Sequence, residues 1–215
     1  MFTLNGEKME LLVSLHISIK SNKYLTFLGT IFKNIGTTDK VYVEFGVEDC
    51  ITQCNTRNLR ELGWDVKNSL LMDGGYSNPD INLQQVIFWP SNILELFQRF
   101  GVKKEFDFLS VDTDSYDWFM IETILEAGYR PRVIVTEINA KYVITNVELS
   151  LTWFLFNSFG MLEAKSILPP KDKKSWKRWD GTTYHGSSML AMSYLFNRFE
   201  YSVLFCNYIN CFAVR

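Results

Sequence analysis

The chain has 215 residues, of which 47% are hydrophobic, and a net charge of −2 from 22 basic and 24 acidic residues. Its length and apolar content predict one domain, residues 1–215, with a substantial core. The near-neutral charge argues against nucleic acid or an anionic membrane as the main partner. No apolar stretch reaches the ~20 residues that cross a bilayer, and no secretory leader is evident, so we expect a soluble protein of the cytoplasm.

Apolar segments of strand length alternate with segments of helical periodicity. The predicted helices are residues 24–33, 54–62, 92–100, 118–127 and 187–199. The predicted strands are residues 40–45, 69–72, 106–111, 132–137, 201–206 and 211–215. This order predicts an α/β fold with a Rossmann-like, mostly parallel sheet, helices on both of its faces and a C-terminal antiparallel hairpin.

Two cysteines flank the tip of the predicted hairpin. Cys206 and Cys211 would therefore face each other across the two strands. Because thiols stay reduced in the cytosol, we favour two buried thiols over a disulfide. The cysteines and the two histidines, His16 and His185, lack the spacing of a zinc site.

Acidic residues stand at the ends of four consecutive predicted strands. They are Glu44, Asp73, Asp112 and Glu137. Carboxylates resist burial unless they are paired or solvated, and ligands of doubly wound sheets bind outside the carboxyl ends of the strands. We therefore predict a solvated, functional edge of the sheet.

Two of these strand ends carry the residue types of a nucleotide site. Gly46 and Gly74 would let the backbone approach a ligand closely. Asp73, at the end of the second strand, would accept hydrogen bonds from ribose hydroxyls. The alternative for Asp73 and Gly74 is a simple turn.

Several segments, in this order and spacing, resemble class I methyltransferases related to the FkbM family. They are VEFGVED with CNTRNLRELGW, LLMDGG, NPDINLQ, KEFDFLSVDTDSYDWF and YRPRVIVTEINA. The resemblance implies a methyltransferase fold with a cofactor-binding core at residues 38–141. It implies S-adenosylmethionine as the cofactor, bound by Glu44, Gly46, Asp73, Gly74 and Asp112. The implied reaction is O-methylation of a small hydroxylated, sugar-like acceptor.

The first of these segments departs from the family's pattern. Val47, Glu48 and Asp49 follow Gly46 where a second glycine is usual, and the permissive turn is lost. Two alternatives therefore stay open. One is a binding or scaffold protein that keeps the fold without catalysis, and the other is an RNA methyltransferase, against which the net charge argues.

Two arrangements could remove the proton of an acceptor hydroxyl. Asp112 and Asp114 with the acid-amide pair of Glu137 and Asn139 offer hard oxygen ligands for Mg²⁺, and we assign Asp112, Asp114 and Asn139 to such a site. Asp117 fits a helix N-cap better than a metal ligand.

Without a metal, His185 is the leading general base, with Asp112 facing the active site. The alternative for His185 is a histidine at the start of a helix, without a chemical role. His185 belongs to a segment, residues 168–188, whose Trp176 and Trp179 stand among basic residues. We predict that this segment is a lid over the acceptor, with a solvated charged loop as the alternative.

Overall fold

The computed structural model describes residues 27–51, 54–114, 116–139, 187–206 and 209–215. The helices are α1 (Phe27–Ile35), α2 (Arg57–Glu61), α3 (Ile93–Arg99), α4 (Asp117–Glu126) and α5 (Met189–Arg198), with a short 3₁₀ helix at Pro79–Ile81. The strands are β1 (Tyr42–Phe45), β2 (Leu70–Asp73), β3 (Leu83–Gln85), β4 (Glu105–Val111), β5 (Arg130–Glu137), β6 (Ser202–Cys206) and β7 (Asn210–Val214).

All seven strands belong to one sheet with the order β3-β2-β1-β4-β5-β7-β6. Strands β1 to β5 are parallel to their neighbours, whereas β7 is antiparallel to both β5 and β6. The predicted α/β fold with a C-terminal antiparallel hairpin is confirmed. The direction of winding reverses between β1 and β4, which lie side by side although five elements (α2, β2, the 3₁₀ helix, β3 and α3) separate them along the chain.

Helices cover both faces of the sheet, as predicted. On one face, α3, α4 and α5 bury Phe97, Ile121 and Phe196 against β1 and β4. On the other face, α1 and α2 bury Ile31 and Leu59. Because both faces are covered, the central strands are apolar without alternation, and every residue of β1 is buried.

The sequence did not predict β3. This strand has three residues, of which only Leu83 is fully buried, and it pairs with β2 at the edge of the sheet. Two of its residues are the glutamines Gln84 and Gln85, so no apolar run marks it. Short, polar edge strands are poorly visible to a periodicity analysis because one side of them faces solvent.

Cys206 and Cys211 are paired directly across β6 and β7, as the sequence predicted. The structure joins their sulfur atoms in a disulfide, so the expectation of two thiols is wrong for this pair. A second disulfide, which the sequence did not predict, joins Cys50 to Cys54 in the loop after β1.

A buried carboxylate ties the opposite, amino edge of the sheet together. Asp107, which is 0% exposed, accepts hydrogen bonds from the backbone N–H of Thr38 (2.8 Å) and Lys40 (2.8 Å) and from Nη1 of Arg132 (3.0 Å). Arg132 also donates to the carbonyl oxygens of Ile35 and Gly36, at the end of α1. This network fixes α1 to the sheet.

Burial alone would raise the pKa of Asp107. The hydrogen bonds from Arg132, Lys40 and Thr38 outweigh it and hold that pKa below its ordinary value. Since the pKa is lower in the folded protein, the carboxylate stabilises the fold above the ordinary pKa of aspartate and ceases to do so in acid.

We expect Asp107→Asn to lower the free energy of unfolding at pH 7 by about 3 kcal/mol, because Arg132 loses its buried partner. The difference between the wild type and the variant should narrow as the pH falls below about 4, where the aspartate becomes protonated. Urea unfolding at both pH values measures this. Asp80→Asn, at an exposed position, serves as the control with little change, and a pH-independent difference would contradict the prediction.

Candidate functional site

The four acidic strand ends lie at the same edge of the sheet. Glu44, Asp73, Asp112 and Glu137 end or directly follow the neighbouring parallel strands β1, β2, β4 and β5. The reversal of strand order between β1 and β4 makes this edge the place where an α/β sheet opens a crevice. The four acids do lie at one edge, but the prediction that this edge is solvated is wrong for Glu44, which is 3% exposed.

Gly46 is required by the contact between β1 and β4. Its φ is +69°, and a Cβ at this position would lie 2.0 Å from the carbonyl oxygen of Asp112. Only glycine therefore allows the two chains to pass at this distance. The sequence predicted a close approach of Gly46 to a ligand, and the approach that the structure shows is to the backbone of the neighbouring strand.

The loop after Gly46 keeps a glycine-like turn without a second glycine. Glu48 has φ +49°, in the left-handed region, and its side chain is exposed. Its backbone N–H donates to Oδ2 of Asp73 (2.9 Å). Glu48 thus adopts a conformation that glycine adopts easily, at a local conformational cost.

Asp73 connects two loops at the end of β2. Besides the N–H of Glu48, its carboxylate accepts the N–H of Gly75 (2.7 Å). A carboxylate has about four acceptor sites, so two remain for a ligand. Gly74 is exposed, and a Cβ there would meet only the tip of Ile87 at 3.2 Å.

Glu44 accepts hydrogen bonds from the loop between β1 and α2. It is 3% exposed, and its two oxygens accept hydrogen bonds from Asn55 N (2.8 Å), Thr56 N (3.0 Å) and Thr56 Oγ1 (2.6 Å). Burial raises the pKa of Glu44, although these hydrogen bonds oppose the rise. The side chain therefore positions the residues that lead into α2.

Three carboxylates converge beyond β4 and β5. Oxygen atoms of Asp112, Asp114 and Glu137 lie within 4.8 Å of one another, with Asp114 exposed and the other two partly buried. The carboxyl groups of Asp112 and Glu137 lie close enough to share a proton. Burial, Asp114 and Glu44 raise the pKa of Asp112 to about 6. Burial, Asp112 and Asp114 raise that of Glu137 to about 8.

Asp117 lies behind these three residues at the first position of α4. Tyr116 holds the N-cap position, so the expected N-cap role of Asp117 is wrong. Its carboxylate is 0% exposed, and Oδ1 accepts the N–H of Thr113 (2.9 Å). Burial, followed by repulsion from Asp112 and Glu137, raises the pKa of Asp117. One feature of the sequence could have indicated this position. Asp117 stands three residues after Asp114, at the start of the helix that follows β4.

In the acid-amide pair at the end of β5, the carboxylate of Glu137 lies near those of Asp112 and Asp114. Asn139 is buried, and its backbone N–H donates to the carbonyl of Ser187 (2.9 Å). His185 and most of the predicted lid lie outside the described residues. Ser188, at the described end of that segment, caps α5 by accepting the N–H of Ala191 (3.1 Å).

Comparison with models of known protein families found no matching family. A search of curated proteins found none that is similar. The fold and the side chains at the carboxyl edge are therefore the basis of the functional argument.

We expect Gly46→Ala to cost about 3 kcal/mol of unfolding free energy, since the methyl group meets a backbone carbonyl and the residue keeps a left-handed φ. Gly36→Ala is the matched control, because Gly36 has the same φ of +69° and nothing within 4 Å of an added Cβ. It should cost only about 1 kcal/mol. Equal losses in urea unfolding would show that the contact with Asp112 does not matter.

We expect Glu48→Gly to raise the free energy of unfolding by about 0.5–1 kcal/mol. Glycine relieves the left-handed strain, and this gain exceeds the loss that comes from its greater freedom in the unfolded chain. Glu48→Ala removes the same charge but keeps the Cβ and should give no such gain. Thermal unfolding of the two variants separates conformation from charge. An alanine variant as stable as the glycine variant would contradict the conformational explanation.

Proposed function

We propose that this chain is a class I S-adenosylmethionine-dependent methyltransferase that methylates a hydroxyl group of a small acceptor. The observation that carries the proposal is Asp73, whose carboxylate lies at the end of β2 beside the loop of Gly46, next to the reversal of strand order. The fold also supports it, since a parallel sheet closed by a last antiparallel strand between β5 and β6 resembles that of this enzyme class.

The residues at this edge suit the binding of a nucleoside. Asp73 has acceptor sites left for the two ribose hydroxyls, and the backbone around Gly74 and Gly75 is open. The backbone N–H of Glu48 orients the Asp73 carboxylate. When bound, the cofactor supplies a methyl group on a positively charged sulfonium.

The acidic residues beyond β4 suit the acceptor side of the reaction, where a hydroxyl group must lose its proton. Asp112 follows β4 directly beside Gly46, so a donor bound along β1 and β2 would have its reactive end near this carboxylate. The residue would accept the proton of the acceptor hydroxyl, and a fixed orientation of donor and acceptor would supply much of the rate. His185 and the lid at residues 168–188 stay predictions for the acceptor side.

Among the described residues, no helix is long and apolar enough to cross a membrane. We propose a small hydroxylated metabolite as the acceptor and the cytoplasm as the place of action.

A second candidate function is ligand binding or scaffolding without catalysis. It is favoured by Glu44, which the loop before α2 already occupies, and by the exposed carboxylate of Glu48, which adds negative charge beside Asp73. That charge opposes the carboxylate of the cofactor's methionine part.

Calorimetric titration with S-adenosylhomocysteine, in buffer with EDTA, tests the proposal. We expect micromolar affinity in the wild type and a loss of about tenfold or more in Asp73→Asn, because hydrogen bonds to a charged acceptor contribute about 1.5–3 kcal/mol. Asp80→Asn changes the same group at an exposed position and should bind as the wild type does. A folded wild type that does not bind would favour the scaffold function, and unchanged affinity in Asp73→Asn would remove Asp73 from the site.

A further inference from the structure

We propose that Asp112, Asp114 and Glu137, with Asp117 behind them, bind a divalent cation of the hard, oxygen-preferring kind, such as Mg²⁺, Mn²⁺ or Ca²⁺. The proposal goes beyond the methyltransferase function, since cation binding does not require it. It differs from the sequence-based assignment because it includes Glu137, at the end of β5, as a ligand.

The spacing of the oxygen atoms fits one ion. Two ligands of the same ion are separated by at most twice the metal–oxygen distance, which is about 4.2 Å for Mg²⁺ and about 4.8 Å for Ca²⁺. The three carboxylate oxygens lie within 4.8 Å of one another. Separations in this range allow one hard cation to contact all three groups. The exposed side of Asp114 leaves room for water ligands.

The charge of the cluster is not balanced by the described cationic side chains. In that part of the chain, the ion pairs of arginine involve Glu61, Asp107, Glu122, Glu126 and Glu105, which all lie outside the cluster. The charged groups that act most strongly on Glu137 are Asp112 and Asp114, which are themselves acidic. Carboxylates brought together and partly buried in this way repel one another unless a shared proton or a cation lies between them, and a bound cation would take the place of the proton.

Asp117 gives a second, independent indication of a ligand. Its Oδ2 is buried and has no hydrogen-bond partner in the described structure. Buried polar atoms without a partner are rare in folded proteins. The other oxygen, Oδ1, is held by the N–H of Thr113, the residue between Asp112 and Asp114, so the carboxylate lies against the cluster. A cation, or a water molecule bound to it, would provide the missing partner for Oδ2.

The test is binding of Mn²⁺ to the full chain at neutral pH, followed by electron paramagnetic resonance of the free ion. We expect one saturable site per chain with a dissociation constant below about 1 mM, the weak end of protein sites for hard cations. Asp114→Asn and Glu137→Gln should each weaken binding by at least about tenfold. Mg²⁺ and Ca²⁺ should displace the bound Mn²⁺.

Glu95→Gln is the matched control, because it removes one charge from an exposed position on α3, outside the cluster. It should leave the Mn²⁺ affinity unchanged. Because Asp114 is exposed, Asp114→Asn is expected to fold, and circular dichroism verifies this. The proposal is overturned by a wild type without saturable binding, by an Asp114→Asn variant that binds as the wild type does, or by an equal loss in Glu95→Gln.

The methyltransferase proposal and the cation-site proposal are tested by independent measurements. Titration with S-adenosylhomocysteine in EDTA reports on the nucleoside site alone, and Mn²⁺ binding without nucleoside reports on the carboxylates alone. A protein that binds Mn²⁺ but no S-adenosylhomocysteine keeps the cation site and loses the methyltransferase function. The reverse result removes only the cation site.

Discussion

The contact between Gly46 and the carbonyl of Asp112 sets the positions of the candidate functional groups. At this point β1 and β4 lie side by side, and the chain leaves β1 toward α2 on one face and β4 toward α4 on the other. A side chain at Gly46 would push the two strand ends apart. The close contact brings the loop of Glu48, which carries the hydrogen bond to Asp73, next to the acids beyond β4. The proposed nucleoside site and the proposed cation site are thus neighbours because Gly46 permits this contact.

Buried carboxyl groups at the two edges of the sheet have pKa values that are shifted in opposite directions. At the amino edge, Arg132 and backbone N–H groups surround Asp107, and its pKa falls although the residue is buried. At the carboxyl edge, burial and then the charges of neighbouring carboxylates raise the pKa values of Asp112, Asp117 and Glu137. The first arrangement stabilises the fold at neutral pH, whereas the second destabilises it. Such an unfavourable group of charges is typical of a site that binds or transforms something.

The residue types in a motif did not by themselves predict the hydrogen bonds or the backbone conformation of those residues. The resemblance implied that Glu44 binds the cofactor, and the structure adds that its oxygens accept hydrogen bonds from Asn55 and Thr56. The absent second glycine suggested a lost turn, but Glu48 adopts the left-handed conformation and the turn persists. In both cases the backbone decides, because a buried carboxylate takes the nearest N–H groups and a loop held at both ends can impose a strained φ.

Local patterns in the sequence were sufficient for the order of helices and strands, the parallel sheet with its terminal hairpin, and the collection of acids at one edge. Those features follow from hydrophobic periodicity and from the rule that parallel strands end on the same side. Only the tertiary structure showed the edge strand β3, the close approach of Gly46 to Asp112, the buried position of Asp117 and the closeness of Glu137 to Asp112 and Asp114. These depend on distances between residues far apart in the chain, and no local pattern encodes such distances.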